Sequence, residues 1–257
     1  MYTQVTVITA STGRESIINC IESVAKQTGP SVAKIQHLIF ADGPESSKKL
    51  FQHIPYDMIS GRDKYSLYKD VELIELPFSV GQDRWNGHRM YAAGTYLADG
   101  EYVMFLDDDN TIDEYHINDC LEAIHKNQTG WAYSLRKIVD KNGVILCNDD
   151  CESLGPDYPT VINANDRLVD VNCYFIQKKL AVYVSPIWHR KAREPGVPEV
   201  DRALVHVLNQ ATKGVGTGKY TVNYTVDSTN LSVSGEFFAR GNEIMQQRYP
   251  NGFPWRK

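Results

Sequence analysis

Long apolar runs are missing from this chain. The densest, residues 102–106 and 180–184, are five residues each, against about 20 for a helix that crosses a bilayer. No transmembrane segment is expected, and peripheral membrane association stays open. The opening Met1-Tyr2-Thr3-Gln4 carries no basic stretch and runs straight into a strand pattern, so no secretory leader is expected. Cysteine is scarce and odd in number: Cys20, Cys120, Cys147, Cys151 and Cys173. Scattered in this way they read as free thiols of a reducing, cytoplasmic compartment, not as a disulfide framework. Sequons at Asn127, Asn223 and Asn230 would go unused there. Basic charge is not in excess. With 27 Lys and Arg against 32 Asp and Glu, the net charge is -5, which argues against a broad phosphate-neutralising surface and so against a nucleic-acid partner. Repeats and low-complexity linkers are also absent. No G-x-G-x-x-G follows the first strand pattern, which disfavours a NAD-type dinucleotide fold.

What is present suffices for a packed core. The 257 residues are 42% hydrophobic and 23% charged, far from the composition of a disordered chain. The first 130 residues alternate two periods. Residues 5–10, 35–40, 71–76 and 101–106 are short, apolar and β-rich. Residues 14–26 place Ile17, Ile18, Ile21 and Val24 at helical spacing, with Ser11 or Thr12 as the expected cap. Residues 83–97 predict a second helix with Trp85, Ala92, Ala93, Tyr96 and Leu97 inward. Apolar strands alternating with helices predict an α/β fold, a mainly parallel sheet flanked by helices.

Residues 44–70 interrupt the rhythm and predict an excursion with a short helix of its own. After about residue 113 the pattern is mixed. A helix is expected over 114–126, strands over 132–139 and 144–147 joined by Asp140-Lys-Asn-Gly143, and another strand over 171–176. A helix over 199–210, a strand over 220–226 and a helix over 236–248 complete the reading.

The most informative segment is Phe105-Leu106-Asp107-Asp108-Asp109-Asn110. Three carboxylates follow an apolar strand, and ligands of open α/β sheets bind outside the carboxyl ends of strands. Asp107 and Asp109 are two apart and share a side if the backbone stays extended. Two such carboxylates repel unless a cation lies between them, and hard oxygen ligands suit Mg²⁺ or Mn²⁺. A solvated acidic loop is the competing reading of three aspartates alone.

The surrounding residues go further. "VTVITASTGRESIINCIESVAKQT", "IQHLIFADG" and "DGEYVMFLDDD", in that order, resemble the first, second and fourth strand ends of the family 2 type of GT-A glycosyltransferases. The resemblance covers residues 3–126 and continues weakly to about 212. It implies a Rossmann-like GT-A domain over 1–257, with residues 1–112 as the nucleotide-sugar half and 113–257 as the acceptor half. It implies transfer from a nucleoside-diphosphate sugar, with UDP expected, to a carbohydrate or other hydroxyl acceptor, with inversion and with Mn²⁺ or Mg²⁺.

Residue by residue, Thr9 and Ala10 match positions framing the nucleotide. Asp42 matches the acid that meets the nucleobase. Asp107 matches the first D-x-D carboxylate, toward ribose or metal, with Asp108 beside it on the donor. Asp109 matches the metal ligand. One departure is Trp85, which stands where such chains carry an arginine, with Arg84 and Arg89 near it.

An inverting transferase needs a base for the acceptor hydroxyl. The family's "ED" helix start matches Pro198-Glu199-Val200-Asp201, with Asp201 in the place of the aspartate and Glu199 displaced by one. Proline and acids are also ordinary helix-start chemistry, so base and cap stand equal at this point. Asp149 and Asp150 are candidates for an acceptor groove. Cys147 and Cys151 lack the two further ligands a zinc site needs. Arg136-Lys137 reads as a solvated strand face, Trp188-His189-Arg190-Lys191 as a surface loop or a sugar-stacking one. His189 and His206 are either structural or extra metal ligands. Two other classes compete with the transferase. A sugar-nucleotide nucleotidyltransferase would need a richer loop than Ser11-Thr12-Gly13-Arg14, and a non-catalytic nucleotide-sugar or glycan-binding module would have no need of Asp201.

Overall fold

The computed structural model describes residues 3–55, 71–192, 199–226 and 233–256. Pro198, the Asn230 sequon and residues 56–70 of the expected excursion lie outside the described residues.

The strands are β1 Thr3–Ser11, β2 Val32–Ala41, β3 Val71–Glu75, β4 Tyr102–Phe105, β5 Thr111–Ile112, β6 Trp131–Val139, β7 Ile145–Asn148, β8 Tyr174–Gln177 and β9 Val215–Thr225. They form one sheet in the order β3-β2-β1-β4-β8-β6-β9-β5, with β7 beside β6. The pairs β1–β2, β2–β3 and β1–β4 are parallel. β8 enters antiparallel between β4 and β6, and β9 runs parallel to β6. The sheet is therefore parallel through its N-terminal half and mixed beyond it. All four residues of β4 are buried, as expected of a strand covered on both faces.

Among the described residues seven α-helices flank the sheet: α1 Ile17–Ala25, α2 Pro44–His53, α3 His88–Leu97, α4 His116–Asn127, α5 Lys178–Val184, α6 Val200–Ala211 and α7 Gly235–Arg248. One core runs from Val5 to Val222 across the sheet. A second, smaller one gathers Leu135, Ile138, Cys151, Leu154, Phe238, Met245 and Trp255 under α7.

Three local expectations need correction. Neither Ser11 nor Thr12 caps α1, whose cap position is Ser16. Ser11 ends β1 instead and turns its hydroxyl toward the aspartates described below. The second predicted helix starts at His88, not at residue 83. Asp83, Arg84 and Asn86 have φ of 55°, 70° and 49°, a left-handed backbone that a right-handed helix cannot contain. Its inward face is also different. Met90, Tyr91, Gly94 and Thr95 are buried, while Tyr96 and Leu97 are 60% and 54% exposed.

Gly94 explains that face. A β-carbon there would lie 2.6 Å from Ile8 Cγ2 and 3.0 Å from Phe40 Cε2, so the backbone of α3 rides directly on β1. Gly94→Ala is expected to destabilise the protein. Overpacking of a filled core costs about 1–3 kcal/mol, and Ile8 and Phe40, both fully buried, have no room to yield. The opposing gain in helix propensity is about 1 kcal/mol. A urea titration should show a lower midpoint at unchanged slope; a higher midpoint would mean that α3 is not seated this closely.

Candidate active site

The carboxyl ends of β1, β2 and β4 converge on a cavity of about 590 Å³, a size usual for small-molecule sites. Ala10, Asp42, Asp107, Asp108 and Asp109 all line it, together with Arg14, Asn86, Met90 and Tyr224. Residues from three separate strand ends thus meet in one place. Thr9 does not line it. Strand alternation turns its side chain the other way, where Oγ1 sits 2.9 Å from His37 Nε2 in the buried layer.

The three aspartates have different surroundings. Asp107 is fixed from two sides. Tyr91 donates its hydroxyl to Oδ1, and Asn172 donates Nδ2–H to Oδ2 at 2.9 Å while accepting the Asp107 N–H at 2.7 Å. Tyr91 is itself wedged among aromatic rings, 5.2 Å from Phe105 and 5.3 Å from Trp188. Burial, and then the charge of Asp109, push the Asp107 carboxyl up to about 6. Asp108 turns back into the fold. It accepts Ser11 Oγ–H at 2.6 Å and an Arg14 N–H at 3.3 Å. Burial raises its pKa against the pull of Arg14 and Ser11. Asp109 is the most open of the three, with 33% of its side chain exposed, and it pairs with Arg14.

Asp42 lines the cavity and also ties a loop. Its carboxylate accepts Ser79 Oγ–H at 2.7 Å, the Val80 N–H at 2.6 Å and the Gly81 N–H at 3.2 Å. Residues 79–81 are thereby held against the end of β2.

Trp85, in the left-handed turn before α3, carries the Arg89 guanidinium 3.5 Å from its ring centroid. His189 lies 4.8 Å away on the ring and Lys191 Nζ 5.7 Å. His88 Nδ1 meets the Arg190 carbonyl at 2.7 Å, and Ala192 N–H donates to Arg84 O at 2.7 Å. The 188–192 segment is therefore zipped to the rim of the cavity rather than forming a free surface loop. His189 is occupied in that stack, and His206 contacts Gln210 at 2.9 Å.

Asp201 is the second residue of α6, whose cap position is Glu199. It is not the capping residue: its Oδ1 accepts the N–H of Arg202, its own neighbour, at 2.8 Å. The backbone carbonyl of Asp201 accepts the Tyr174 hydroxyl at 2.9 Å, fixing the helix start to β8. Burial and the charge of Asp170 outweigh the pull of Arg202, and the Asp201 carboxyl rises to about 6. Asp201 does not line the 590 Å³ cavity. The two regions are joined by a hydrogen-bonded chain. Asn172, which holds Asp107, also donates to Asp170 at 2.8 Å, and Asp170 accepts from Arg136.

Arg136 overturns its sequence reading. It is 4% exposed and pairs with Asp149 and Asp170, so it belongs to the core rather than to a solvated face. Asp149 and Asp150, the candidates for an acceptor groove, are both buried and bonded within the fold. Asp149 accepts from Arg136 and from the backbone of residues 151–153. Asp150 anchors the chain end through Trp255 Nε1–H at 2.8 Å and Arg256. All five cysteines are free. Among the described residues no group of three or more His, Cys, Asp or Glu is arranged to hold a metal ion.

Tyr91, Asp170, Asn172 and Arg136 were not legible as site-forming residues. Each acts from an element distant in sequence, and none carries a local motif.

No protein-family model matches the chain, and no curated protein sequence does. Solved structures do. S. aureus TarS residues 1–349 in complex with UDP-GlcNAc matches with a TM-score of 0.61 at 15% identity, over 97% of this chain and 67% of that one. The same segment in complex with UDP gives 0.58 at 13% identity, over 96% and 72%. A longer S. aureus TarS structure gives 0.58 at 15%, over the whole of this chain and 44% of that one. At such identities the likeness is one of fold. The chain has the GT-A architecture, a sheet parallel in its N-terminal half and flanked by helices.

Proposed function

We propose that this protein is an inverting glycosyltransferase of the family 2 type. It moves a sugar from a nucleoside-diphosphate sugar, UDP-linked, to a hydroxyl of a carbohydrate or similar acceptor, with Mn²⁺ or Mg²⁺ as cofactor. The observation that carries the reading is the meeting of Ala10, Asp42 and the Asp107–Asp108–Asp109 triplet at one cavity beyond the carboxyl ends of a GT-A sheet. The UDP and UDP-GlcNAc complexes of S. aureus TarS support a donor of this kind for the same fold.

Asp42 receives the nucleobase, beside the loop it ties. Ala10, small and at the end of β1, leaves room for the nucleoside. The donor set fits a divalent ion: the Asp109 charge makes ionising Asp107 costly, and both side chains offer hard oxygens. Asp109 and Asp107 would hold the ion, with diphosphate and water completing its shell, and it would neutralise charge on the leaving diphosphate. Arg14, already beside Asp108 and Asp109, adds a positive charge at the same place. Tyr91 and Asn172 keep Asp107 from rotating. Asp201 takes the proton of the acceptor hydroxyl while that oxygen attacks the anomeric carbon, and the nucleoside diphosphate leaves from the opposite side. One displacement inverts the centre.

Calorimetry tests the donor half of this. UDP should bind in Mn²⁺ and raise the melting temperature, since a ligand of the native state stabilises it by mass action. In chelator the binding should be lost, because diphosphate would meet two carboxylates. Asp109→Ala should abolish the metal effect. Equal affinity with and without chelator would exclude the metal role, and no binding of any nucleoside diphosphate would exclude the donor.

A further inference from the structure

A second cavity, of about 600 Å³, opens along α6. Its lining holds three guanidiniums, Arg167, Arg190 and Arg202, and one carboxylate, Asp166. Asp166 is already taken, since it accepts Arg202 Nε–H at 2.6 Å. Arg167 donates from Nη1 to the carbonyls of Ala164 and Asp166 at 3.0 and 2.9 Å, which carry no charge to balance its own. Arg190 is held by its backbone, through the carbonyl that meets His88 Nδ1. Among the described residues neither Arg167 nor Arg190 is paired with a carboxylate.

The chain has a net charge of -5, so this hollow reverses the sign of the molecule. Cations gathered in a concave site repel one another, and the walls focus their field on whatever enters. A bound anion removes that cost. The guanidinium fork matches the oxygens of a carboxylate or a phosphate. The rest of the lining suits hydroxyls. His206, Asn209 and Gln210, at i, i+3 and i+4 on α6, offer donors and acceptors together, and Ala203 and Val207 add apolar contact on the same helix.

Its position ties this cavity to the other. Arg202 follows Asp201 directly in α6, and its Nη1 lies 3.8 Å from Asp201 Oδ1. His88, which meets Arg190, is the neighbour of Gly87 in the lining of the 590 Å³ cavity. A molecule held along α6 therefore lies beside both Asp201 and the rim of the nucleotide cavity.

We propose that the second cavity binds an acidic saccharide, with Arg167 and Arg190 on its carboxylate or phosphate group and the α6 side chains on its hydroxyls. That this saccharide is the acceptor rests on the transferase reading with Asp201 as base; its binding does not.

Calorimetry of the full chain with glucuronate, glucose 6-phosphate and glucose, in chelator and at low ionic strength, tests the site. The acidic sugars should bind and glucose should not, and added salt should weaken the binding because it screens charge. The tighter of the two acids tells whether a carboxylate or a phosphate is received. Arg190→Gln should weaken acidic-sugar binding roughly tenfold or more, the worth of a hydrogen bond to a charged group, and leave Mn²⁺-dependent UDP binding unchanged. Arg167→Gln should weaken it likewise. That side chain also ties Ala164 and Asp166, so should this variant fail to fold, Arg190→Gln decides alone. Arg14→Gln should leave acidic-sugar binding intact, since Arg14 lines the other cavity. Glucose binding as tightly as the acids, or no binding of either acid, overturns the proposal. So does acidic-sugar binding that survives Arg190→Gln or is lost in Arg14→Gln. The two readings fail separately. Acidic sugars that bind as expected to a protein that takes no UDP leave the saccharide site standing and remove the transferase reading, whereas UDP binding without acidic-sugar binding removes the saccharide site alone.

Discussion

Asp201→Asn is expected to lower the rate of sugar transfer by roughly 10²-fold or more, the usual contribution of a positioned general base, while leaving binding of the nucleoside diphosphate intact. The two effects separate because Asp201 is outside the cavity that Asp42 and the aspartate triplet line. The fold should not suffer. Asn keeps an acceptor for the Arg202 N–H and keeps the volume. The sign of the charge term points the same way. The Asp201 carboxyl sits at about 6, above its ordinary value, so the folded protein prefers it protonated. Ionisation therefore carries a stability penalty that builds as pH rises from about 4 to 6 and persists above. A neutral Asn lacks that penalty, and the melting temperature at pH 7–8 should be equal or slightly higher. In the wild-type protein, turnover should decline as pH falls through about 6, because a protonated Asp201 accepts nothing. The product gives an independent check: one in-line displacement turns an α-linked donor into a β-linked product. Undiminished turnover in Asp201→Asn, or retained configuration seen by NMR, would remove Asp201 as base.

The sheet's N-terminal half was readable because its order is local. The apolar runs at residues 5–10, 35–40, 71–76 and 101–106 fall within β1, on β2, and on or around β3 and β4 with shifts of a few residues at the ends. In β1, β2 and β4 that hydrophobicity matches burial on both faces, whereas β3, at the sheet edge, buries only Val71. The start of α3 was not readable, since residues 83–87 have an acceptable helical composition and only backbone strain reveals the turn. Tyr96 and Leu97 misled for a related reason: Gly94, the residue that decides which face packs, contributes no hydrophobic signal. Strand β5 has two residues, and α5 follows β8 without a break, so neither carries a usable period.

The site divides along the same line. Ala10, Asp42 and the three aspartates lie at the ends of recognisable strands, and the structure brings them together. Thr9 was drawn in by adjacency alone, and one step along a strand reverses its side chain. What holds Asp107 in place comes from helix α3 and from the segment before β8, and pairings across 16 and 65 residues leave no mark on the local sequence. Arg136 was read as solvated because it stands beside Lys137, yet the two residues face opposite sides of β6: Lys137 reaches Asp113 at 2.7 Å while Arg136 points into the core.

Removing that buried arginine should cost more stability than any other change considered. Arg136 donates Nε–H to Asp149 at 2.8 Å and Nη1–H to Asp170, and its guanidinium lies 4.3 Å from the centre of the Tyr224 ring. Arg136→Ala leaves two buried carboxylates without their cation, a loss of about 3–5 kcal/mol for a broken buried pair. The loss should depend on pH. In the intact protein burial works to raise the Asp149 pKa, but Arg136 and the N–H groups of Cys151 and Ser153 outweigh it, and the net shift is downward. That group therefore contributes stability above its unfolded pKa, near 4, and the contribution is lost as pH falls through the lower folded value. Without Arg136 the Asp149 carboxyl favours protonation, so the variant's deficit should be larger at pH 7 than at pH 4. Urea midpoints at the two values measure this. A functional consequence should follow in whatever fraction stays folded. Asp170 would lose its anchor, Asn172 its orienting partner, and Asp107 one of its two supports, so metal-dependent nucleotide binding should weaken even though Arg136 does not line the cavity. A variant within 1 kcal/mol of the wild type at pH 7, with unchanged nucleotide affinity, would show that the chain from Arg136 to Asp107 does not hold the site in place.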